Sequence, residues 1–416
     1  MAGVVEHLIE KYIGKLESQG LAVRDKAVFL ALDAELFSNR PVRDEVLDLA
    51  GLFRLMNINT VLFSEPSEPY RSIIREIIRY DVDSVTQGRI IPPDCETRTF
   101  LHDIPVVEKF SLEAIAEALS RRKAVLVRDR GIVTYGVVTP EQAFVSFSST
   151  SFATFIKYFH DSLLYLGNCE GYRTIPEDMF VEGFNRITRL LSHVAVFGEK
   201  GEVSGPPGGK LMAGPPLNGD DVIMMLAEAG RAVVAHRLVD SYFGNISYVH
   251  DNTISISQTG SSLDELEHCI DAVPLDGSSS IGITASSELT AHKRIYHETG
   301  DNAILHGHPK FSVIMSMHCL KEGCDRNICH KYCRERRSVA GIPVVSGEVG
   351  TGPTGLLHTV PKAMREGKGA IVYGHGVFTS GKGDFRGPFR MLRQIEERCR
   401  KEYFSLMEIC PGICRA

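Results

Sequence analysis

Apolar positions along this chain follow two periods. Residues 303–308 (AILHGH) and 369–375 (GAIVYGH) are short continuous apolar runs with the length of buried strands. Strand side chains alternate between the faces of a sheet, so His306 and His308 point to one side of the first run. His375 ends the second run. Three imidazoles from two strands can form a metal site with an open coordination position, as a catalytic zinc requires. The string Ser286, Ser287, Glu288 adds a carboxylate available as a fourth ligand or as a base. The second period is helical. Asp220 and Asp221 cap a segment running to about Val239, with Val222, Ile223, Leu226, Val233 and Val234 on its buried side.

Proline and glycine break the pattern between these regions. Residues 201–219 contain GPPGG at 205–209 and GPP at 214–216, which cannot hold a helix or a central strand. This divides the chain into a domain over 1–198, a Gly/Pro-rich linker over 199–219 and a domain over 220–416.

The two halves resemble each other. Residues 118–136 run without a gap against 363–381, each reading as a helix end, a basic turn, a buried strand and a glycine turn. Upstream, Ser67 and Glu68 match Ser287 and Glu288 at a separation of 220. At that offset the first half carries Thr86, Gly88 and Arg130 where the second carries His306, His308 and His375. The first half is therefore expected to be a copy without metal ligands, serving packing, subunit contact or completion of the substrate site. The same offsets separate the last two positions by 42 residues in the first half and 67 in the second. They predict an insertion of 25 residues that holds a cysteine-rich segment, about 319–345.

Composition narrows the class. At 416 residues the chain exceeds one ordinary core, and 43% apolar with 24% charged residues is typical of globular proteins. A net charge of −6 argues against nucleic acid or an anionic membrane as the main partner. The N-terminus lacks the basic and apolar regions of a signal peptide, and no apolar run approaches the roughly 20 residues of a membrane span. Ten cysteines in such a chain read as thiols or metal ligands before disulfides, and a cytoplasmic location is expected.

Residues 220 to about 410 resemble the class II aldolase/adducin family. The resemblance runs in order through FGNIS (243–247), ISQTG (256–260), ASSE (285–288), AHKRIY (291–296), HGHP (306–309) and HG (375–376). It implies a three-layer α/β/α sandwich on a mostly antiparallel sheet, present twice if the first half is a degenerate copy. It implies zinc held by His306, His308 and His375, with Glu288 as ligand in the resting site and as acid/base. Mn2+, Co2+ and Fe2+ remain open. The phosphate end of a substrate falls to Gly244, Asn245, Thr259, Gly260, Ser286 and Ser287, whose amides and hydroxyls suit an anion. Family aldolases take a tyrosine from near a neighbouring subunit's C-terminus as proton donor, and Tyr403 matches by position only. A homo-oligomer, by resemblance a tetramer, follows.

The implied activity is metal-dependent cleavage or formation of a C–C bond in a phosphorylated sugar or hydroxyketone through an enediolate. Two alternatives stand beside it: a same-fold epimerase, dehydratase or sugar-acid-phosphate decarboxylase, and an adducin-like scaffold without chemistry. The family's epimerases tend to have Asp where Glu288 stands, which leans toward the lyase.

Other polar residues read more simply. His292 fits a buried packing or hydrogen-bonding role better than a fourth ligand, Ser247 reads as a turn hydroxyl, and His250 and His268 as surface residues. Cys319, Cys324, Cys329, His330 and Cys333 are spaced closely enough for a structural zinc or an iron–sulfur cluster, with Cys410 and Cys414 as outside contributors. The alternative is a loop of reduced thiols.

Overall fold

Two mixed sheets organise the chain, one in each of two units, Met1–Gly198 and Glu199–Ile409. The computed structural model describes every residue except 1, 42–45, 47, 81–86, 168–174, 194–209, 241, 279–281, 320, 322 and 410–416. Thr86, Cys410, Cys414 and most of the proposed linker lie outside the described residues. Residues 210–218 belong to the second unit, where the Met212 amide donates to Glu228 at 2.8 Å and the Gly214 amide to Asp384 at 2.9 Å.

The first unit runs α1 (Ala2–Ser18), β1 (Val28–Leu32), β2 (Leu36–Ser38), β3 (Thr60–Ser64), α2 (Tyr70–Tyr80), β4 (Arg89–Ile90), α3 (Cys95–Leu101), β5 (Ile104–Val107), α4 (Leu112–Leu119), β6 (Ala124–Val127), β7 (Gly131–Gly136), α5 (Pro140–Leu166) and α6 (Glu177–His193). Its sheet order is β2-β1-β3-β7-β6-β5-β4. The strands are rich in Val, Leu and Ile, and alternation sends their side chains to two buried faces. Val61, Val125 and Val133 meet Ile115 and Leu119 of α4 on one face. On the other, the Thr134 hydroxyl donates to the Ala143 carbonyl of α5 at 2.8 Å. Helix α5 starts on a capping box at Thr139 and Gln142 with Pro140 in its first turn, and buries Phe144, Phe147, Phe152, Phe155 and Phe159.

The second unit runs α7 (Gly219–Ala235), β8 (Asn245–His250), β9 (Thr253–Ser257), β10 (Ile270–Pro274), α8 (Leu289–Thr299), β11 (Ala303–Gly307), α9 (Lys310–Met317), β12 (Arg337–Val339), β13 (Ile342–Val345), α10 (Val360–Glu366), β14 (Gly369–Val372), β15 (Val377–Gly381) and α11 (Arg386–Met407). Asn218, rather than Asp220, caps α7, and Ile223 points to solvent. The sheet order is β10-β9-β8-β11-β15-β14-β13-β12. Ile304, Ala370, Val372 and Phe378 pack on Ala291, Ile295, Val360 and Met364 of α8 and α10. Opposite them, Thr379 donates to the Pro388 carbonyl of α11 at 3.1 Å.

Apart from β10, the two sheets have the same order and the same pairing directions, antiparallel throughout except β5–β6 and β13–β14. Strands β5 and β13 even share the sequence IPVV. The Thr134 and Thr379 bonds are equivalent, so each sheet is held to its long helix in the same way.

The strand register corrects the upstream part of the sequence comparison. Thr60 pairs with Gly136, and Ala303 with Gly381, so β3 is the counterpart of β11. His306 and His308 therefore correspond to Phe63 and Glu65, not to Thr86 and Gly88. Ser67 and Glu68 lie after β3, beyond the position of Pro309, and do not match Ser287 and Glu288. The cysteine-rich segment is not an insertion either. From Glu65 to Arg130 the chain is nearly as long as from His308 to His375. The extra length lies elsewhere: residues 258–302 join β9 to β11, whereas 39–59 join β2 to β3. A gapless comparison failed here because loops of unequal length change the offset between elements whose mutual geometry is retained.

Candidate metal centre

Residues 303–307 form a fully buried central strand, paired with β8 on one side and β15 on the other. His306 near its end and His308 just beyond it project to one side. His375 comes from the turn between β14 and β15, where its amide donates to Val372 O at 3.1 Å and the Gly374 amide donates to Ser316 Oγ of α9 at 2.8 Å. Gly374 has φ +57°, which favours glycine.

All three rings are buried, and one ligand atom from each lies within 4.8 Å of the others. The His306 Nε2 stands 3.2 Å from His375 Nε2 and 3.0 Å from His308 Nε2. A tetrahedral zinc with bonds of about 2.0–2.1 Å spaces its ligand atoms roughly 3.3 Å apart, so the donor set fits a divalent ion. His306 Nδ1 faces Val377 O at 3.2 Å, which leaves Nε2 for coordination. Its ring also stacks on Phe378 with centroids 4.0 Å apart. Gly376 makes room: a Cβ there would come within 2.8 Å of His306 Cε1 and 2.5 Å of Gly307 O.

Glu288, at the entry to α8, completes the cluster. Its carboxylate lies 3.1 Å from His375 Nε2 and 3.5 Å from His306 Nε2. Burial pushes this carboxyl up, but His306, His375 and the Asn245 amide outweigh burial and hold it well below the usual carboxylate range. Burial, with His306 and His375 beside it, keeps the His308 imidazole well below its ordinary value, and a neutral ring is the form that can coordinate a metal.

The residues read as a phosphate cradle surround this cluster unevenly. Asn245 gives its amide to Glu288 Oε2 at 2.7 Å, so it positions the carboxylate, and its Oδ1 is buried without a partner. Gly244, at φ +90°, lies over the His306 carbonyl, where a Cβ would approach to 2.4 Å. The amides of Thr259 and Ser286 are engaged by Thr284 O and Ser257 O. The Thr259 hydroxyl donates to Ala285 O at 3.0 Å, whereas the Ser286 hydroxyl accepts from the Glu288 amide at 3.3 Å and keeps its own proton for an anion. Gly260 and Ser287 are exposed near them in sequence.

Several residues sit differently from expectation. Tyr403 is not brought to the centre: its ring is fully buried in α11 against Phe311 and Phe404, 5.3 and 5.2 Å away by centroid. Its amphipathic helix turns it inward, so it is not placed to serve a neighbour's site. Ser247 is no turn hydroxyl. It lies within β8, fully buried, with its Oγ 2.7 Å from Nδ1 of His292. Burial pushes His292 down to about 3 and keeps it neutral. His268 is exposed and His250 half-buried. Cys319, Cys324, Cys329 and Cys333 are free thiols in one neighbourhood; burial raises Cys329, and the other three reinforce that. Among the described residues, the group whose ligand atoms draw together to metal-binding distance is the histidine set. Sequence reading missed Lys310, whose buried ammonium pairs with Asp240 at 2.9 Å beside His308. A lysine directly after HGHP, at the start of an apolar helix, was the available signal.

Residues 224–403 match the family model of the Class II Aldolase and Adducin N-terminal domain. The second half of the chain is a domain of the class II aldolase/adducin family. Solved structures similar to the chain include the L-fuculose-1-phosphate aldolase from Thermus thermophilus, 22% identical over 46% of this chain and 97% of that one, with a TM-score of 0.38. The sugar-phosphate aldolase from Thermotoga maritima is 15% identical over 46% and 96%, with a TM-score of 0.34. The N-terminal class II aldolase domain of a conserved protein from Thermoplasma acidophilum is 12% identical over 45% and 96%, with a TM-score of 0.32. No curated protein matches the chain. No helix among the described residues is long and apolar enough to cross a membrane.

Proposed function

We propose that the second unit is a divalent-metal-dependent lyase that breaks or forms a C–C bond in a phosphorylated hydroxyketone or sugar. One observation carries this reading: three imidazole nitrogens and the Glu288 carboxylate converge in a buried cluster of a class II aldolase/adducin domain. His306, His308 and His375 hold the ion, zinc by preference for an all-imidazole donor set. When bound, the ion supplies Lewis acidity to a carbonyl and hydroxyl pair, worth several kcal/mol. The chain supplies the rest. Asn245 orients Glu288, and burial keeps water from competing for that carboxylate. Glu288 accepts and returns the proton. The Ser286 and Ser287 hydroxyls receive the phosphate end. The first unit is a diverged copy in which the ligand positions are Phe63, Glu65 and Arg130.

The test is a retro-aldol assay over a panel of ketose 1-phosphates, with metal content measured alongside. His306→Ala and His308→Ala are expected to lose the metal and at least about 1,000-fold in activity while keeping native circular dichroism. Full metal occupancy in either variant would remove the assigned site. Epimerisation or decarboxylation without cleavage would move the reaction within the fold. No metal and no turnover would favour a scaffold.

A further inference from the structure

We infer that Ser247 and His292 are a positioning pair that sets the Glu288 carboxylate against the imidazoles. The inference rests on the reading of Glu288 as the proton carrier, and it names what holds that carboxylate in place beyond Asn245.

Helix α8 begins at Glu288 without a side-chain cap, because that side chain is turned into the cluster. A helix that enters on an uncapped residue needs its first turn fixed from outside. The His292 amide donates to the Glu288 carbonyl at 3.0 Å, so the two side chains stand one turn apart on one side of α8. On β8, Asn245 and Ser247 are two residues apart and share a face. The pairs meet rung by rung. Asn245 Nδ2 donates to Glu288 Oε2 at 2.7 Å, and Ser247 Oγ lies 2.7 Å from His292 Nδ1. Two strand residues advance about 6.7 Å and four helical residues about 6 Å, so the spacings match. One bond leaves the first turn of α8 free to rotate about it; the second rung fixes its direction.

The sheet ties both rungs to the ligands. Across β8 and β11, Asn245 pairs with His306 and Ser247 with Ile304, so the first rung is level with a ligand and the second with the core. Ile304 packs there on Ala291 and Ile295, which lie on either side of His292 in α8. Phe378 links the two levels: its ring stacks on His306 with centroids 4.0 Å apart and meets His292 edge-on at 5.8 Å. The His292 ring therefore backs the carboxylate through α8 and one ligand through Phe378. Both Ser247 and His292 are fully buried, and His292 Nε2 has no hydrogen-bond partner. An apolar side chain would fill that volume without a buried unpaired nitrogen, so the bond to Ser247 is what the ring supplies.

The experiment uses the full chain loaded with cobalt(II), whose visible spectrum follows its ligand field. Ser247→Ala, the smallest change, and His292→Leu are compared with the native chain and with Glu288→Gln. Both are expected to shift the visible bands in the direction of Glu288→Gln, with metal content unchanged. In the zinc-loaded chain they are expected to lower kcat about tenfold while KM moves less than about twofold. His292→Asn keeps a polar atom where Nδ1 stands and is expected to return the native bands. Asn245 and the pair act on one carboxylate, so Asn245→Ala/Ser247→Ala is expected to lose far less than the roughly hundredfold that independent effects would give. Native bands in Ser247→Ala and His292→Leu, with native circular dichroism, overturn the proposal, and so does a chain that takes up no cobalt. If His292→Leu does not fold, Ser247→Ala decides alone. Shifted bands without turnover of any ketose phosphate would remove the lyase reading and leave the pair standing.

Discussion

The turn between β14 and β15 presents His375 to a buried cluster of imidazoles, while its counterpart between β6 and β7 presents Arg130 to an open, arginine-lined cavity. Sheet order, pairing directions, the threonine bond to the long helix and the glycine over the neighbouring strand's carbonyl are common to both units. What differs is a few side chains and one connection. The longer connection in the second unit carries β10 and brings Glu288 to the histidines. The first unit has neither imidazoles at the ligand positions nor that connection. A sheet of this order thus holds the ends of β3 and β11 in the same relation to their turns, and the side chains placed there decide whether imidazoles or a guanidinium group face the opening.

The comparison can be broken most directly by rebuilding ligands in the first unit. Phe63→His/Glu65→His/Arg130→His is expected to add one zinc per chain by elemental analysis, weaker than the native site because no counterpart of Glu288 is present. The same substitution at Thr86, Gly88 and Arg130 is expected to add none. A zinc gained by the second variant and not the first would overturn the register.

The shared glycines come next. Gly131→Ala faces both a 2.3 Å contact with Ser64 O and a φ of +151°, and is expected to destabilise the first unit by about 3 kcal/mol in urea unfolding. Gly376→Ala crowds His306, His308 and the Gly307 carbonyl, and is expected to weaken metal retention roughly 10–100-fold against a competing chelator. Native metal affinity in Gly376→Ala would show that the rings do not depend on this close approach.

The units should also differ in their response to pH. Asp94 caps α3, accepting from the Thr97 amide at 2.9 Å, yet burial pushes its carboxyl up to about 6. Its folded value exceeds the ordinary 3.8, so the folded state binds the proton more tightly. Stability from this group is fully present below about pH 4 and is lost as pH rises through about 6, a change on the order of 3 kcal/mol. Asp94→Asn keeps a capping side chain and is expected to flatten the first unit's melting profile between pH 4 and 6.5. A slope unchanged in that variant would assign the response to another group.

The smallest expected effect is at Asn245. Removing its amide in Asn245→Ala loosens Glu288 without touching the imidazoles, so kcat is expected to fall about tenfold with metal content unchanged. An equal fall in metal content would mean that Asn245 supports the whole cluster rather than the carboxylate.

Much of the second unit was legible because its signals are local. A two-residue period placed His306 and His308 on one side, the ordered blocks marked the family, and Pro and Gly marked the break between halves. Ser247 was misread because its partner His292 lies 45 residues away, brought near only when α8 packs over β8. Asn245 could be placed near an anion by pattern, but only packing shows that the anion it meets is Glu288. Tyr403 matched by position, and the direction in which its helix buries it was not written in that position.

By itself the sequence determined the candidate ligand residues, the strand that carries two of them and the family of the second half, since each depends on neighbours a few residues apart. The register between the two halves, the turn that sets Arg130 in place of His375, the arginine cavity and the inward burial of Tyr403 were decided by tertiary structure. Pairing between strands is fixed by contacts across long separations, and loops of unequal length hide those contacts from any linear comparison.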